Sequence, residues 1–279
     1  MILDFIRPEL SHIKYIIEKF PDGQQNIIIN KNSNLYEHDV LIKTRITSFL
    51  DIELLYLAVN TLRYDCNVNK ISVYISYLLG ARSDRKFGEY SCNYMKHVIT
   101  PVINNLNLTK VIIFDPHSNV TEALINNYEN QNNYVLLDSS FYNLFSKQNI
   151  IRNKITIVSP DKGSYEKSLK VADVFGVNSF ISCNKIRKNN DILITLETCE
   201  YIDGCDNFVI VDDIGDGFGT FIKVAEKLEK SFPNSNKFLI LSHVIQKKGA
   251  IKALKHFNKI YTTNSYSDFE LENLIRYYL

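Results

Sequence analysis

Phe208-Val209-Ile210-Val211-Asp212-Asp213-Ile214-Gly215-Asp216-Gly217-Phe218-Gly219-Thr220-Phe221 is the stretch whose reading decides the fold. An apolar, β-branched run ends in two carboxylates, crosses a glycine-rich bend and opens into an amphipathic segment, which predicts strand, loop and helix N-terminus. Backbone N–H groups without partners in a first helical turn point into such a loop, and the helix dipole favours an anion there. The acids Asp212 and Asp213 need another partner, a sugar hydroxyl or a magnesium ion carrying phosphates. Together these features describe a site for a phosphorylated sugar. Gly215, Gly217 and Gly219 lack the spacing of a dinucleotide-binding fingerprint, and no Gly-Lys-Ser/Thr follows, so neither that nor a Walker loop fits.

Outward from this stretch, short apolar runs alternate with helical-period segments, the pattern of α/β units around largely parallel sheets. In the first half the predicted strands are Asn26-Ile29, Val40-Lys43, Lys70-Tyr77, Val111-Phe114 and Tyr134-Leu137. Helices are expected over Asp51-Cys66 and Tyr94-Asn105, with a short one before Tyr134. The segment from Asp138 to Asn153 carries no strong strand and is the candidate domain boundary. Beyond it come strands Ile155-Val158, Ser179-Ser182, Ile192-Leu196, Lys237-Leu241 and Lys259-Thr262. The helices there are Tyr165-Phe175, Thr220-Lys230, Ala250-Phe257 and a terminal Asp268-Tyr278. The two halves share an element order, which suggests two related lobes, 1–140 and 141–279, with a last helix able to pack back on the first lobe.

At 279 residues the chain has ample length for such a core. Thirty-two basic residues against thirty-one acidic ones give no global field for nucleic acid or an anionic membrane. Five cysteines (Cys66, Cys92, Cys183, Cys199, Cys205) show neither a CxxC pair nor zinc-ligand spacing, and read as reduced thiols. No basic, apolar leader opens the chain and no apolar run is long enough to span a bilayer, so a cytoplasmic protein is expected.

Four further loops, each after a predicted strand, collect polar chemistry. Tyr77 to Phe87 places Arg82, Arg85 and Lys86 around Asp84, and arginine suits phosphate oxygens. Asp115-Pro116-His117 follows another strand. Ser159-Pro160-Asp161-Lys162-Gly163 runs into a helix, and Cys183 to Asn190 is a basic loop that could close over a phosphoryl group. Each taken singly also reads as an ordinary solvated turn or helix cap. Ligands in open α/β sheets bind at the carboxyl ends of strands, and five such loops gather there.

The ordered set resembles the ribose-phosphate pyrophosphokinases. The family's Phe-Ser-Asp-Gly-Glu is similar to Phe20-Pro21-Asp22-Gly23-Gln24, its Tyr-Ala-Arg-Gln-Asp-Arg to Gly80-Ala81-Arg82-Ser83-Asp84-Arg85, and its Asp-Leu-His to Asp115-Pro116-His117. Its Ser-Pro-Asp-x-Gly matches Ser159 to Gly163, and its Lys-Arg-Arg falls on Lys185-Ile186-Arg187. The sugar-phosphate motif falls on Val211 to Thr220, and a Thr-His before a Gly resembles Ser242-His243 before Gly249. The resemblance covers most of the chain in order.

It implies two tandem phosphoribosyltransferase-like lobes, each a mainly parallel sheet flanked by helices, the first on the ATP side. It further implies transfer of the β,γ-diphosphate of ATP, as co-substrate with Mg2+, to the anomeric hydroxyl of a ribose 5-phosphate moiety, releasing AMP. Lys185 and Arg187 would be catalytic. Arg82, Ser83, Asp84 and His117 would hold ATP together with Phe20, Asp22 and Gln24 of a neighbouring subunit, so a homodimer or larger assembly is implied. His117 and Asp161 would be metal ligands. Asp161, Asp212, Asp213, Asp216, Gly217, Phe218, Gly219 and Thr220 would grip the sugar phosphate.

The chain departs from the family at Gln24 for Glu, Ser83 for Gln, Ile186 within the basic triplet, and Gly217-Phe218 for Thr-Gly. A phenyl ring offers no hydrogen bond to a phosphate but can stack on a nucleoside. The acceptor is therefore expected to be ADP-ribose, giving ADP-ribose 1-diphosphate, a precursor for rebuilding NAD. Ordinary ribose 5-phosphate, a non-catalytic paralogue and a phosphoribosyltransferase are the competing readings.

Overall fold

A computed structural model describes residues 1–30, 35–188 and 191–279. The chain divides into two compact units, Met1–Asn132 and Asn133–Leu279.

In the first unit β1 (Ile2–Asp4) is followed by a hairpin of β2 (Tyr15–Lys19) and β3 (Gln25–Ile29), then β4 (Val40–Ile46), α1 (Phe49–Asn60) and β5 (Ile71–Leu78). A π-helical turn over Met95–Ile99 runs into α2 (Thr100–Asn104), followed by β6 (Lys110–Phe114), α3 (Val120–Leu124) and β7 (Tyr128–Gln131). The main sheet has the order β1-β4-β5-β6-β7, with each neighbouring pair parallel. Parallel strands covered on both faces read as near-continuous apolar runs, and β5 is buried along most of its length. The entry to α1 is set by Asp51, whose carboxylate accepts from the Ser48 and Thr47 N–H groups at 2.8 Å.

The second unit runs α4 (Tyr134–Tyr142), β8 (Ile155–Ser159), α5 (Tyr165–Val174), β9 (Ser179–Lys188), β10 (Asp191–Glu200), β11 (Asn207–Gly215), α6 (Gly219–Ser231), β12 (Asn236–Val244), α7 (Lys247–Ala253), β13 (Lys259–Thr263) and β14 (Leu274–Tyr277). Its seven strands lie in the order β10-β9-β8-β11-β12-β13-β14, antiparallel only between β9 and β10. The period of two along β11 sends Phe208 and Ile210 into one core with Val224 and Leu228 of α6. Val209 and Val211 enter a second core with Phe141 of α4 and Val171 of α5. Helices therefore cover both faces, the α/β arrangement expected of the alternating pattern.

Several expected elements differ. Tyr134-Leu137 is not a strand but the first turn of α4, because Leu136, Leu137, Ser140, Phe141 and Leu144 are buried at helical spacing while Val135 is exposed. That helix packs into the second unit's core, so the chain divides after Asn132 rather than at 140. The terminal segment is not a helix: Asn273 takes φ of 64°, and Leu274–Tyr277 pairs with β13 as an edge strand. A left-handed residue breaks a helix where it stands. The basic stretch 183–188 is not a loop either, since β9 continues through it opposite β10; residues 189 and 190 lie outside the described residues. Asn26-Ile29 belongs to the separate β2–β3 hairpin rather than to the parallel sheet.

Candidate active site

In the first unit, β5 and β6 deliver two of the predicted loops to the same sheet edge, and side chains tie them together. Ser118 Oγ donates to Asp84 Oδ2 at 2.6 Å, and Asn93 Nδ2 donates to the Asp84 carbonyl at 2.6 Å. Asp84 is thus placed beside the loop that carries His117. The turn into this stretch needs Gly80, which has φ of 79°, and whose Cβ would lie 2.6 Å from the Tyr94 ring. Asp115 has φ of 41° at the end of β6 and is buried, whereas Arg82 and His117 are exposed and Ser83 is half-buried. Phe20, Asp22 and Gln24 form the exposed tip of the β2–β3 hairpin. Phe20 N–H donates to the Gln24 carbonyl at 2.8 Å, and Asp22 Oδ1 accepts from Gln24 N–H at 3.1 Å.

In the second unit the site lies at the carboxyl edge of β8, β9 and β11. After β8 the chain turns so that Asp161 Oδ1 accepts from the N–H groups of Gly163 at 3.0 Å and Ser164 at 3.3 Å. The other oxygen, Oδ2, meets Lys185 Nζ at 3.2 Å. This contact exists because β9 outruns its parallel partner: the β8–β9 register ends at Ser159 and Ser182, and β9 carries Lys185 on past that end. Arg187 stands on the same strand, but its side chain lies outside the described residues. Cys183, one turn of the pleat before Lys185, is buried, and burial together with Asp161 and Glu197 pushes its thiol up to about 12. It is packing, not a nucleophile.

Asp212 and Asp213 end the buried part of β11. Asp213 N–H donates to Asp212 Oδ1 at 2.9 Å. Burial first, and then repulsion from Asp213, hold the Asp212 carboxyl well above the usual carboxylate range, with Lys167 opposing. Two acids so placed call for a cation or for hydroxyl donors.

The glycine loop follows. Asp216 accepts from Gln246 Nε2 at 2.8 Å; Gly217 is exposed, with nothing within 4 Å of a Cβ added there. Helix α6 starts at Gly219, exposed, with Thr220 half-buried, and its first-turn N–H groups face the loop without intrahelical acceptors. Phe218 corrects the expectation placed on it. Its backbone is left-handed, with φ of 62° and ψ of 5°, and its side chain is only 3% exposed, packed with Phe221 in the core beneath α6. The ring is turned away from solvent and is not available to stack on a nucleoside.

Further contributors to this loop come from after β12. Gly249 comes so close that a Cβ there would lie 2.7 Å from the Asp216 carbonyl oxygen. Gln246 has no local signature, and sequence reasoning missed it.

No protein-family profile matches the chain. It is 25% identical over 276 residues to a ribose-phosphate pyrophosphokinase of Mycoplasmopsis pulmonis, covering 97% of this chain and 81% of that protein. It is 23% identical over 255 residues to a ribose-phosphate pyrophosphokinase of Pyrococcus abyssi, covering 89% and 83%. A solved phosphoribosylpyrophosphate synthetase from Mycobacterium smegmatis matches with a TM-score of 0.81 at 12% identity, over 100% of this chain and 94% of that one, so the two share a fold.

Proposed function

Because the chain is a divergent member of the ribose-phosphate pyrophosphokinase family, we propose that it moves the β,γ-diphosphate of ATP to the anomeric 1-hydroxyl of ribose 5-phosphate, releasing AMP. The observation that carries this reading is the Lys185–Asp161 pair at the same sheet edge as the Asp212–Asp213 acids and the glycine loop. A non-catalytic paralogue would have no reason to keep a cation reaching past the end of its neighbouring strand.

The chemistry asks for positioning and neutralisation of charge rather than covalent work by the protein. The N–H groups at the start of α6 and Thr220 hold the acceptor's 5-phosphate, and Asp212 and Asp213 accept from ribose hydroxyls. With the sugar so oriented, its 1-hydroxyl oxygen attacks the β-phosphorus of ATP in line and the bond from that phosphorus to the α-phosphate oxygen breaks. Lys185, with Arg187, neutralises charge that develops on the moving diphosphate. Lys185 exchanges Asp161 for the polyphosphate as ATP arrives.

Magnesium fits these residues. Among the described residues no group of three metal-ligating side chains stands ready, which suits an ion that arrives on nucleotide phosphates and takes only one or two protein ligands. Asp161 is the carboxylate that would hold such an ion in the second unit, and His117 the imidazole that would hold one in the first. The ion supplies charge neutralisation on the polyphosphate. Arg82, Ser83 and Asp84 bind ATP, and Phe20, Asp22 and Gln24 reach from a neighbouring subunit of a homo-oligomer to its adenine.

ADP-ribose as acceptor loses its support with Phe218 in the core, since no ring remains in the cradle to hold a second nucleoside. The test is AMP release from ATP and Mg2+ with ribose 5-phosphate or ADP-ribose as acceptor. Turnover with ribose 5-phosphate is expected; turnover confined to ADP-ribose overturns the acceptor, and none with either overturns the reaction.

A further inference from the structure

The sugar-phosphate cradle is held in shape from below, and we infer that Phe218 is the positioning residue that does so, setting affinity for the acceptor's terminal phosphate without touching it. The inference rests on the proposed reading of that loop.

Three observations carry it. First, Phe218 adopts φ of 62° and ψ of 5°, a left-handed conformation that a bulky side chain rarely takes. Such a backbone persists only where surroundings over-determine it. Second, the surroundings do: the ring is 3% exposed, and its edge reaches two glycines distant from each other in sequence. A Cβ on Gly215 would lie 2.6 Å from Phe218 Cζ and as close to Leu241 Cδ1, and a Cβ on Gly249 would lie 2.8 Å from Phe218 Cδ2. Both glycines leave room for this ring, Gly215 beside Leu241 and Gly249 beside the Asp216 carbonyl. Third, the segment after β12 grips the cradle at further points: Ile245 N–H donates to the Gly215 carbonyl at 2.8 Å, Gln246 Nε2 holds Asp216 Oδ1, and Gly249 abuts the Asp216 carbonyl.

The consequence is geometric. Phe218 immediately precedes the first helical residue of α6, and its carbonyl accepts from Ile222 N–H at 3.0 Å. Its φ and ψ therefore set the direction in which the N–H groups of Gly219 and Thr220 point. Where the family carries a small residue at this place, the chain uses a buried ring to pin the turn. Gly217, beside it, brings neither a hydroxyl nor a side chain to steady the loop, so the pin takes over that task.

The test compares Phe218→Leu, Phe218→Ala and Gly215→Ala, with the double variant Phe218→Leu plus Gly215→Ala, in the full-length protein. Calorimetric binding of ribose 5-phosphate and of inorganic phosphate is read beside the KM for each substrate in AMP release and the thermal midpoint. Phe218→Leu is expected to stay folded, to weaken ribose 5-phosphate binding about tenfold or more and to raise its KM alike, with KM for ATP unchanged. Gly215→Ala should do the same by pushing the ring; its methyl also meets Leu241 in either background, so the double variant relieves only the part owed to the ring, a coupling that a double-mutant cycle measures. A lowered midpoint in folded variants, with phosphate and ribose 5-phosphate affinity unchanged, overturns the inference and leaves Phe218 as core packing alone. Wild-type protein that binds ribose 5-phosphate but releases no AMP refutes the proposed reaction while the binding arm still decides this inference. Wild-type protein that binds neither probe overturns both.

Discussion

Lys185 and Asp161 face each other at 3.2 Å with most of the lysine side chain sheltered, so in the proposed reaction each keeps the other's charge paired until ATP separates them. A partly exposed pair of this kind contributes about 1 kcal/mol or less to folding. Lys185→Ala is therefore expected to cut AMP release by roughly 10²–10³-fold, the range for loss of one charge-stabilising donor. Its thermal midpoint should stay close to wild type, and an active variant would return Lys185 to the role of a surface cation. Asp212 makes a different prediction. Its carboxyl, raised above the usual 3.8, keeps its proton in the folded chain after the unfolded chain has released it. Stability therefore falls as pH rises from the unfolded value through the folded one. Asp212→Asn should raise the thermal midpoint at pH 8, with the gain disappearing below the unfolded pKa, and should abolish ribose 5-phosphate binding. Melting curves across pH check the sign; an equal shift at all pH values would remove the burial of the ionised carboxylate, and its repulsion from Asp213, as the cause.

At the scale of elements, β9 and α4 show how burial overrides local appearance. The stretch 183–188 is polar enough to read as a loop, yet backbone pairing with β10 needs no apolar side chains, and it extends the strand to where Lys185 meets Asp161. Ile186 and Leu193, opposite each other on that hairpin, are 47% and 59% exposed. Replacing both by Thr is expected to change unfolding free energy in urea by no more than about 0.5 kcal/mol for each site. In α4 the opposite holds. Phe141 is 1% exposed and stacks on Phe175 with centroids 4.0 Å apart. Phe141→Ala should cost about 3–5 kcal/mol in the same measurement. The run Tyr134-Val-Leu-Leu looked like a strand because four apolar residues in a row carry no period, and the helical spacing emerges only with Phe141 and Leu144 included.

For the whole molecule, the two units each carry half of the proposed chemistry, ATP-side residues in the first and sugar-side residues in the second. Among the described residues no helix is long and apolar enough to cross a membrane. The β2–β3 hairpin exposes Ile16, Ile17, Phe20 and Ile28, with Ile16 directly opposite Ile28. Exposed apolar residues gathered in this way mark interaction surfaces, consistent with the proposed homo-oligomer. Ile16→Lys with Ile28→Lys is expected to shift the protein to a smaller species in sedimentation velocity and to raise KM for ATP. A wild-type monomer in the same experiment would refute assembly.

What the sequence by itself determined was the α/β class, the order of the chemical loops and their places after strands, because residue type, turn chemistry and period of burial are local properties. Strand and helix over Phe208-Phe221 were legible for that reason. Only the tertiary structure decided which of those residues meet and which way they face. Asp161 reaches Lys185 through the relative lengths of two strands, and Asp84 reaches Ser118 across two loops. Phe218 turns inward because Gly215 and Gly249, brought together by folding, leave the space its ring fills. A cavity made by residues distant in sequence has no local signature, so the side of the cradle on which that ring lies could be settled only by packing.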